Sequence, residues 1–258
     1  MKFNSFFAII FAFFVINFNF KMFAKPIKVL FIGNSFTHMH NFPNMVAEIA
    51  KEQGDTIITD YSAFDNYTLE KHYFNTETLE KIQNNCWDYI VLQEQSQRPV
   101  MDSLIFYSKT FFYMNAFVEL IYELNPETQL LLFLTWGRKY GDEELCSKFQ
   151  WTCRYEDMQQ MLAKRYFYLG SKLALPVVPC GLAWLNFAPN NPNHFDLFIN
   201  DNKHSNKVGS YLNACLFYTA ITNKSPVGTK YNPANIADDI LLELQQVAYN
   251  ITKKYIRQ

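Results

Sequence analysis

The sequence predicts a three-layer α/β/α domain built on a five-stranded parallel sheet. Two features of the 258-residue chain lead to this prediction. Short, continuous apolar runs alternate with longer segments of helical periodicity, and parallel strands require such crossover connections, which place helices on both faces of a sheet. In addition, no Pro/Gly/Ser-rich linker and no internal repeat interrupts residues 25–258, so a single domain is the better count.

The predicted strands are short apolar runs, as expected for strands that are buried on both faces. They span residues 28–32, 56–61, 89–92, 129–135 and 176–178. The predicted helices have apolar residues three or four positions apart and end at breaker residues, such as Gly54 after the first and Asn125-Pro126 after the third. They span residues 42–53, 76–84, 109–124, 155–173, 207–222 and 235–255.

Residues 1–24 are predicted to be a signal peptide rather than part of the domain. Lys2 precedes an apolar stretch over residues 6–16, and Lys21 ends the segment. This stretch has the length of a signal-peptide core and falls short of the about 20 apolar residues that span a membrane. Because residues 22–24 make no clean small-x-small cleavage pattern, an uncleaved anchor is the alternative. We expect an exported protein, periplasmic or secreted, without stable membrane insertion after cleavage.

Composition excludes several classes of function. The chain has 23 Lys+Arg against 24 Asp+Glu and no basic run, so we expect no nucleic-acid partner. It has only 8 Gly and neither a P-loop nor a G-x-G-x-x-G fingerprint, which argues against nucleotide cofactors. The pair His38-x-His40 lacks a matched third ligand, so no metal site is predicted. We therefore expect no cofactor.

The cysteines are interpreted in the light of export, because an oxidising compartment permits disulfides. Cys146 and Cys153 lie close together in a polar stretch with turn-forming residues and are the best candidate pair among the 5 cysteines. Two free thiols at these positions are the alternative. No C-x-x-C spacing is present, so the cysteines do not indicate a zinc or redox site.

A serine follows the first predicted strand directly. Gly33 permits a tight exit from this strand, and Ser35 then lies where a helix is about to begin. In parallel α/β sheets, ligands bind at the carboxyl ends of the strands, where Ser35 would lie. Backbone N–H groups at the start of a helix can stabilise a developing negative charge. The alternative is that Ser35 only caps a helix.

An acid and a histidine lie near the other end of the chain. Asp201 precedes His204 by three positions in a polar stretch before the helix predicted at residues 207–222. A serine hydroxyl needs a base to act as a nucleophile, and the base needs a group that holds its tautomer. Alone, this pair is often only a polar loop, but Ser35, Asp201 and His204 together predict a catalytic triad.

These residues resemble the motifs of the SGNH (GDSL-type) hydrolases. Gly33-Asn34-Ser35 is similar to their first block and Asp201-x-x-His204 to their last. Residues 88–99, 135–138 and 209–212 are similar to an SGNH-like branch of bacterial proteins. The resemblance implies a flavodoxin-like SGNH fold and a serine hydrolase acting on esters, with Ser35 as nucleophile, His204 as general base and Asp201 orienting the histidine.

The resemblance also implies an oxyanion hole with three hydrogen-bond donors. One is the backbone N–H of Ser35. In the family the others are a Gly after the second strand and an Asn after the third, and the nearest matches here are Asn66 and Gln95. Asn tolerates a left-handed backbone better than most residues, and Gln also carries an NH₂ donor.

Three further residues follow strands three and four and are candidates for binding the substrate. Glu94 and Arg98 come after the third strand, where Arg98 could hold a substrate carboxylate or form a structural ion pair. Trp136 follows the fourth strand and suits either sugar stacking or core packing.

The sequence thus predicts a serine esterase that removes acyl groups from a polar or carbohydrate substrate through an acyl-enzyme. The expected partner is a small-molecule or glycan ester. Two alternatives use the same fold. One is a catalytically weak protein that binds glycans or belongs to the cell surface, and the other is an O-acyltransferase in which a hydroxyl rather than water accepts the acyl group.

Overall fold

A computed structural model describes residues 25–187 and 196–256 of the chain. The predicted signal peptide over residues 1–24 lies outside them. In the described part of the chain, no helix is both long enough and apolar enough to cross a membrane.

All five strands pair in parallel and form one sheet, as the sequence predicts. The strands are β1 Ile27–Gly33, β2 Ile57–Ala63, β3 Tyr89–Leu92, β4 Gln129–Phe133 and β5 Val177–Val178. Their spatial order is β2-β1-β3-β4-β5. The connection from β1 leads to β2 on one side, while β3 pairs on the other side, so the order reverses beside β1. Such a reversal opens a crevice at the carboxyl ends of the strands, which is where ligands bind in sheets of this kind.

Helices connect the strands and follow the last of them. They are α1 Ser35–His38, α2 Phe42–Glu52, α3 Leu69–Tyr73, α4 Thr76–Gln83, α5 Ser103–Ile105, α6 Phe112–Leu124, α7 Glu143–Cys146, α8 Tyr155–Leu173, α9 Cys180–Trp184, α10 Lys207–Thr222 and α11 Asp238–Tyr255. Every helix predicted from periodicity is present. The helix predicted over residues 109–124 begins earlier in the structure, because a π-helical segment, Phe106–Phe111, runs directly into α6. The sequence also misses the helices of three to five residues, which are too short to show periodicity.

Two hydrophobic cores lie on the two faces of the sheet. Alternation along β1 sends Val29 and Phe31 into the first core and Leu30 and Ile32 into the second. The first core is closed by α2, α10 and α11, and the second by α6 and α8. The result is the predicted three-layer arrangement. Helix α10 is buried along nearly its whole length, which gives the loop that precedes it a rigid support.

The segment after β4 makes an excursion that a disulfide closes. Cys146 and Cys153 are bonded, with their Cα atoms 4.6 Å apart. Gly141 packs against the backbone of Cys153, where an added Cβ would lie 2.3 Å from the carbonyl oxygen. Asp142 caps α7 by accepting a hydrogen bond from the N–H of Leu145. This excursion forms one wall of the cleft described below.

Candidate active site

Ser35, His204 and Asp201 meet at the carboxyl edge of the sheet. Ser35 is the first residue of α1, and its Oγ lies 2.7 Å from His204 Nε2 although 169 positions separate the two residues. His204 Nδ1 lies 2.5 Å from Asp201 Oδ2. This is the order of contacts that a nucleophile, its base and the group that orients the base require.

Asp201 holds both the loop and the imidazole. Its Oδ1 accepts the backbone N–H groups of Lys203 and His204 at 2.9 and 3.0 Å. Burial raises the pKa of Asp201, but the hydrogen bonds from the His204 ring and from these backbone groups outweigh burial and keep the pKa below its usual value. An ionised carboxylate at Nδ1 requires a proton there, so Nε2 is left to accept the hydroxyl hydrogen of Ser35.

The turn that carries Ser35 is fixed by side chains from neighbouring elements. Gly33 ends β1, and an added Cβ there would lie 2.3 Å from Gln93 Oε1. That oxygen accepts the N–H of Asn34 at 2.8 Å. The buried His72 contacts the carbonyl oxygen of Gly33 through Nε2 at 2.6 Å. Burial lowers the pKa of His72 to about 4, so the ring is neutral at neutral pH and donates its Nε2–H. The sequence signals neither Gln93 nor His72 as part of the site.

A cavity of about 210 Å³ in front of Ser35 also contains the other two predicted oxyanion donors; we call it the nucleophile cavity. It is lined by Asn34, Ser35, Phe36, Asn66, Gln95, Ser96, Gln97, Arg138, Glu144, Lys203 and His204. Asn66 has the left-handed backbone (φ 57) that an Asn tolerates. Among the described residues, none accepts a hydrogen bond from the backbone N–H of Ser35 or Asn66, which leaves both groups available to an oxyanion.

Gln95 is less simply placed for a donor role. Its Oε1 accepts the N–H groups of Gln97 and Arg98, and its Nε2 donates to Gln97 Oε1 at 2.7 Å. The side chain is therefore folded back onto its own loop. Only the second hydrogen of the amide remains for an oxyanion, and the role of Gln95 stays a prediction.

No family model and no curated protein matches the sequence, but solved structures match the fold. A DUF4886 family protein from Bacteroides uniformis is 20% identical with a TM-score of 0.73, over 91% of this chain and 98% of that one. A protein from Slackia heliotrinireducens, described as a candidate SGNH hydrolase, is also 20% identical, with a TM-score of 0.62 over 75% of this chain and 98% of its own. This chain has the SGNH hydrolase fold.

A third solved structure with a similar fold belongs to an acetyl xylan esterase. A variant of an acetyl xylan esterase from Geobacillus stearothermophilus is 15% identical, with a TM-score of 0.52 over 74% of this chain and 93% of that one. The likeness to the Slackia heliotrinireducens structure confirms the fold that the motif resemblance predicts.

The prediction that Glu94 contacts substrate is wrong. The side chain is 0% exposed, so no substrate in the nucleophile cavity can reach it. Its Oε1 accepts the N–H groups of Leu69 and Gln95, while Oε2 has no hydrogen-bond partner. Glu94 instead ties the loop that follows Asn66 to the loop of Gln95.

The buried Glu94 carboxyl should make the stability of the protein depend on pH. Burial raises its pKa from 4.5 to about 7, so the folded state binds more protons than the unfolded state between these values. Stability should therefore fall as pH rises through this window, by up to about 3 kcal/mol. Glu94→Gln keeps the acceptor oxygen but cannot ionise, so its stability relative to the wild type should rise between about pH 4.5 and pH 7.5. Urea unfolding at both pH values measures this.

The exposed Glu80→Gln in α4 is the matched control for Glu94→Gln and should show no such trend. A constant difference between the wild type and Glu94→Gln across the range would contradict the assignment of a raised pKa.

Trp136 and Arg98 do not line the nucleophile cavity either. Trp136 is 0% exposed and stacks between Phe36 and Trp184, at centroid distances of 4.6 and 4.0 Å. Its predicted sugar contact is wrong, because the core-packing alternative is what the fold uses. The indole Nε1 donates to the carbonyl of Lys203, which steadies the loop of His204. Arg98 lies 2.8 Å from Glu70 in an ion pair, the second of its predicted roles.

The two histidines after Ser35 have separate partners. His38 Nε2 lies 2.8 Å from Asp65 Oδ1, and His40 Nε2 lies 2.9 Å from the carbonyl oxygen of Ser205. Across residues 25–187 and 196–256, no group of three or more His, Cys, Asp or Glu side chains is arranged to hold a metal ion.

A second cavity, of about 300 Å³, adjoins the first, and we call it the side cavity. It is lined by Gln97, Arg138, residues 140–144 and residues 201–203. Four residues line both cavities: Gln97, Arg138, Glu144 and Lys203. The sequence did not identify this group, because only the disulfide-closed excursion brings Glu144 next to Arg138 and Gln97.

Proposed function

We propose that the protein is a serine esterase that hydrolyses short acyl esters of a polar alcohol, most simply a carbohydrate. The observation that carries this proposal is the chain of hydrogen bonds from Ser35 Oγ through His204 to Asp201, at 2.7 and 2.5 Å. The polar lining of the nucleophile cavity and the structural likeness to an acetyl xylan esterase support a polar, short-chain ester.

In the proposed reaction, Ser35 Oγ attacks the ester carbonyl carbon while its proton moves to His204 Nε2. The carbonyl oxygen becomes an oxyanion, which the N–H groups of Ser35 and Asn66 and the remaining amide hydrogen of Gln95 stabilise. The bond to the leaving alcohol then breaks, and the imidazolium returns the proton to that oxygen. Water then attacks the acyl-enzyme while its proton moves to His204 Nε2. The bond between the acyl carbon and Ser35 Oγ breaks, His204 returns the proton to that oxygen, and the acid leaves.

A fluorophosphonate probe tests this proposal directly, because it labels only an activated serine. We expect labelling of the wild-type protein, with the adduct mapped to the peptide that contains Ser35. Ser35→Ala should lose the label, whereas Ser96→Ala, which removes the other serine hydroxyl of the nucleophile cavity, should retain it. An unlabelled wild-type protein that still binds glycans would contradict the esterase proposal and favour a glycan-binding protein.

We also propose that the chain is exported. The predicted signal peptide and the Cys146–Cys153 disulfide support this, because structural disulfides persist in oxidising compartments.

A further inference from the structure

The side cavity lies on the histidine side of the nucleophile. Asp201, Asn202 and Lys203, from the loop that carries His204, line it. The oxyanion candidates Asn66 and Gln95 line only the nucleophile cavity. In acyl transfer the imidazole that takes the serine proton later gives it to the leaving oxygen, so the leaving group must lie on the histidine side. The side cavity therefore faces the alcohol half of an ester held at Ser35.

Polar side chains with few hydrogen-bond partners among the described residues face this cavity. The Arg138 side chain is 11% exposed; its Nε lies 3.5 Å from Asp142, and its guanidinium lies over the Phe36 ring, 5.6 Å from the centroid. None of the described residues accepts a hydrogen bond from its terminal N–H groups. Among the described residues, Gln97 Nε2 makes the one hydrogen bond to the Glu144 carboxylate, a long contact of 3.5 Å, and the Lys203 ammonium has no partner. Donors and acceptors thus stand side by side, which suits a ligand whose neighbouring hydroxyls both donate and accept.

The charge of the lining argues against an acidic ligand. Carboxylates outnumber cationic side chains four to two among the residues of the side cavity. Arg138 is itself opposed by the buried Asp142. A ligand carboxylate would meet net repulsion here, whereas a neutral polyol would not.

An exposed aromatic ring completes the side cavity. Tyr140 lines it and is 67% exposed. The Lys139 ammonium lies over this ring, 5.4 Å from its centroid, and the exposed remainder of the ring can pack on the apolar face of a sugar, in contrast to the buried Trp136.

We propose that the side cavity binds the alcohol half of the substrate as a neutral, vicinally hydroxylated ring of pyranose size, with Arg138 and Glu144 hydrogen-bonding its hydroxyls and Tyr140 covering one face. This subsite rests on the proposed esterase function, and it determines which alcohol is released.

The test compares acetyl esters that differ only in the alcohol: p-nitrophenyl acetate, an acetylated methyl xyloside and an acetylated methyl glucuronide. Tyr140→Ala and Arg138→Gln should each lower the ratio of kcat/KM for the xyloside to that for p-nitrophenyl acetate by about tenfold or more, as expected for one lost contact. The ratio should not change in the matched control Tyr122→Ala, which removes another exposed ring, on α6.

Binding of the deacetylated methyl xyloside, measured by NMR titration, gives a readout that does not depend on catalysis. Saturable binding that weakens in Tyr140→Ala supports the subsite even if no ester is turned over, in which case only the esterase proposal fails. An equal loss on every ester, a preference for the glucuronide, or no xyloside binding would each overturn the subsite. Because Arg138 is mostly buried, the exposed Tyr140 keeps the test valid if Arg138→Gln does not fold.

Discussion

Ser35→Ala is expected to lower kcat for p-nitrophenyl acetate by about 10⁴- to 10⁶-fold, the range found when a serine nucleophile is removed from a triad. The physical reason is that Ser35 Oγ is the atom 2.7 Å from His204 Nε2, so its loss leaves the base with no alcohol to deprotonate. The thermal midpoint should change little, because the backbone of the turn is held by Gln93 and His72 rather than by the hydroxyl.

The control for Ser35→Ala is Ser171→Ala, which removes an exposed hydroxyl from α8 without touching the cleft. Its kcat should equal that of the wild type. Turnover in Ser35→Ala within tenfold of the wild type would refute the assignment of Ser35 as the nucleophile.

Asp201→Asn is expected to lower kcat by about 10⁴-fold while the loop keeps its shape. The Asn side-chain oxygen can still accept the N–H groups of Lys203 and His204, as Oδ1 does in the wild type. Its NH₂ group, however, replaces the carboxylate oxygen 2.5 Å from His204 Nδ1. A donor at this position favours the tautomer with the proton on Nε2, which cannot accept a proton from Ser35. Steady-state kinetics near neutral pH measure the loss.

A suitable control for Asp201→Asn is Asp196→Asn, which breaks the ion pair with Lys139, in the segment that follows β4. Asp196 does not contact His204. We expect this variant to retain activity within a few fold. If both substitutions lowered kcat equally and lowered the thermal midpoint together, Asp201 would be a structural residue of the loop rather than the group that selects the tautomer.

Where a residue's position depends on local sequence, the structure places it as predicted, while the catalytic roles stay a prediction. Ser35 follows a strand that its apolar run and Gly33 identify, and Asp201 reaches His204 because three positions on a tight turn bring the two side chains together. The strand and helix alternation is equally local, and it led to the correct sheet.

Predictions failed where the direction of a side chain depends on the residues that pack around it. Glu94 and Gln95 are adjacent after β3, yet Glu94 is fully buried and Gln95 lines the nucleophile cavity. The backbone N–H groups of Leu69 and Gln95 hold the Glu94 carboxylate inside the protein. Trp136 is likewise covered by Phe36 and Trp184, which come from other parts of the chain. A residue's place after a strand therefore predicts the edge of the sheet at which it lies, but not the direction of its side chain.

By itself, then, the sequence determined the layer order of the domain, the identities of an alcohol, an imidazole and a carboxylate suited to acyl transfer, and the pair of cysteines that is bonded. Only the tertiary structure decided that Gly33 and Asn34 are held by His72 and Gln93, and that Arg138, Glu144 and Tyr140 share a cavity. The reason is physical: strand and turn preferences act between near neighbours along the chain, whereas a cavity is the space left when distant segments pack, and no short pattern records its walls.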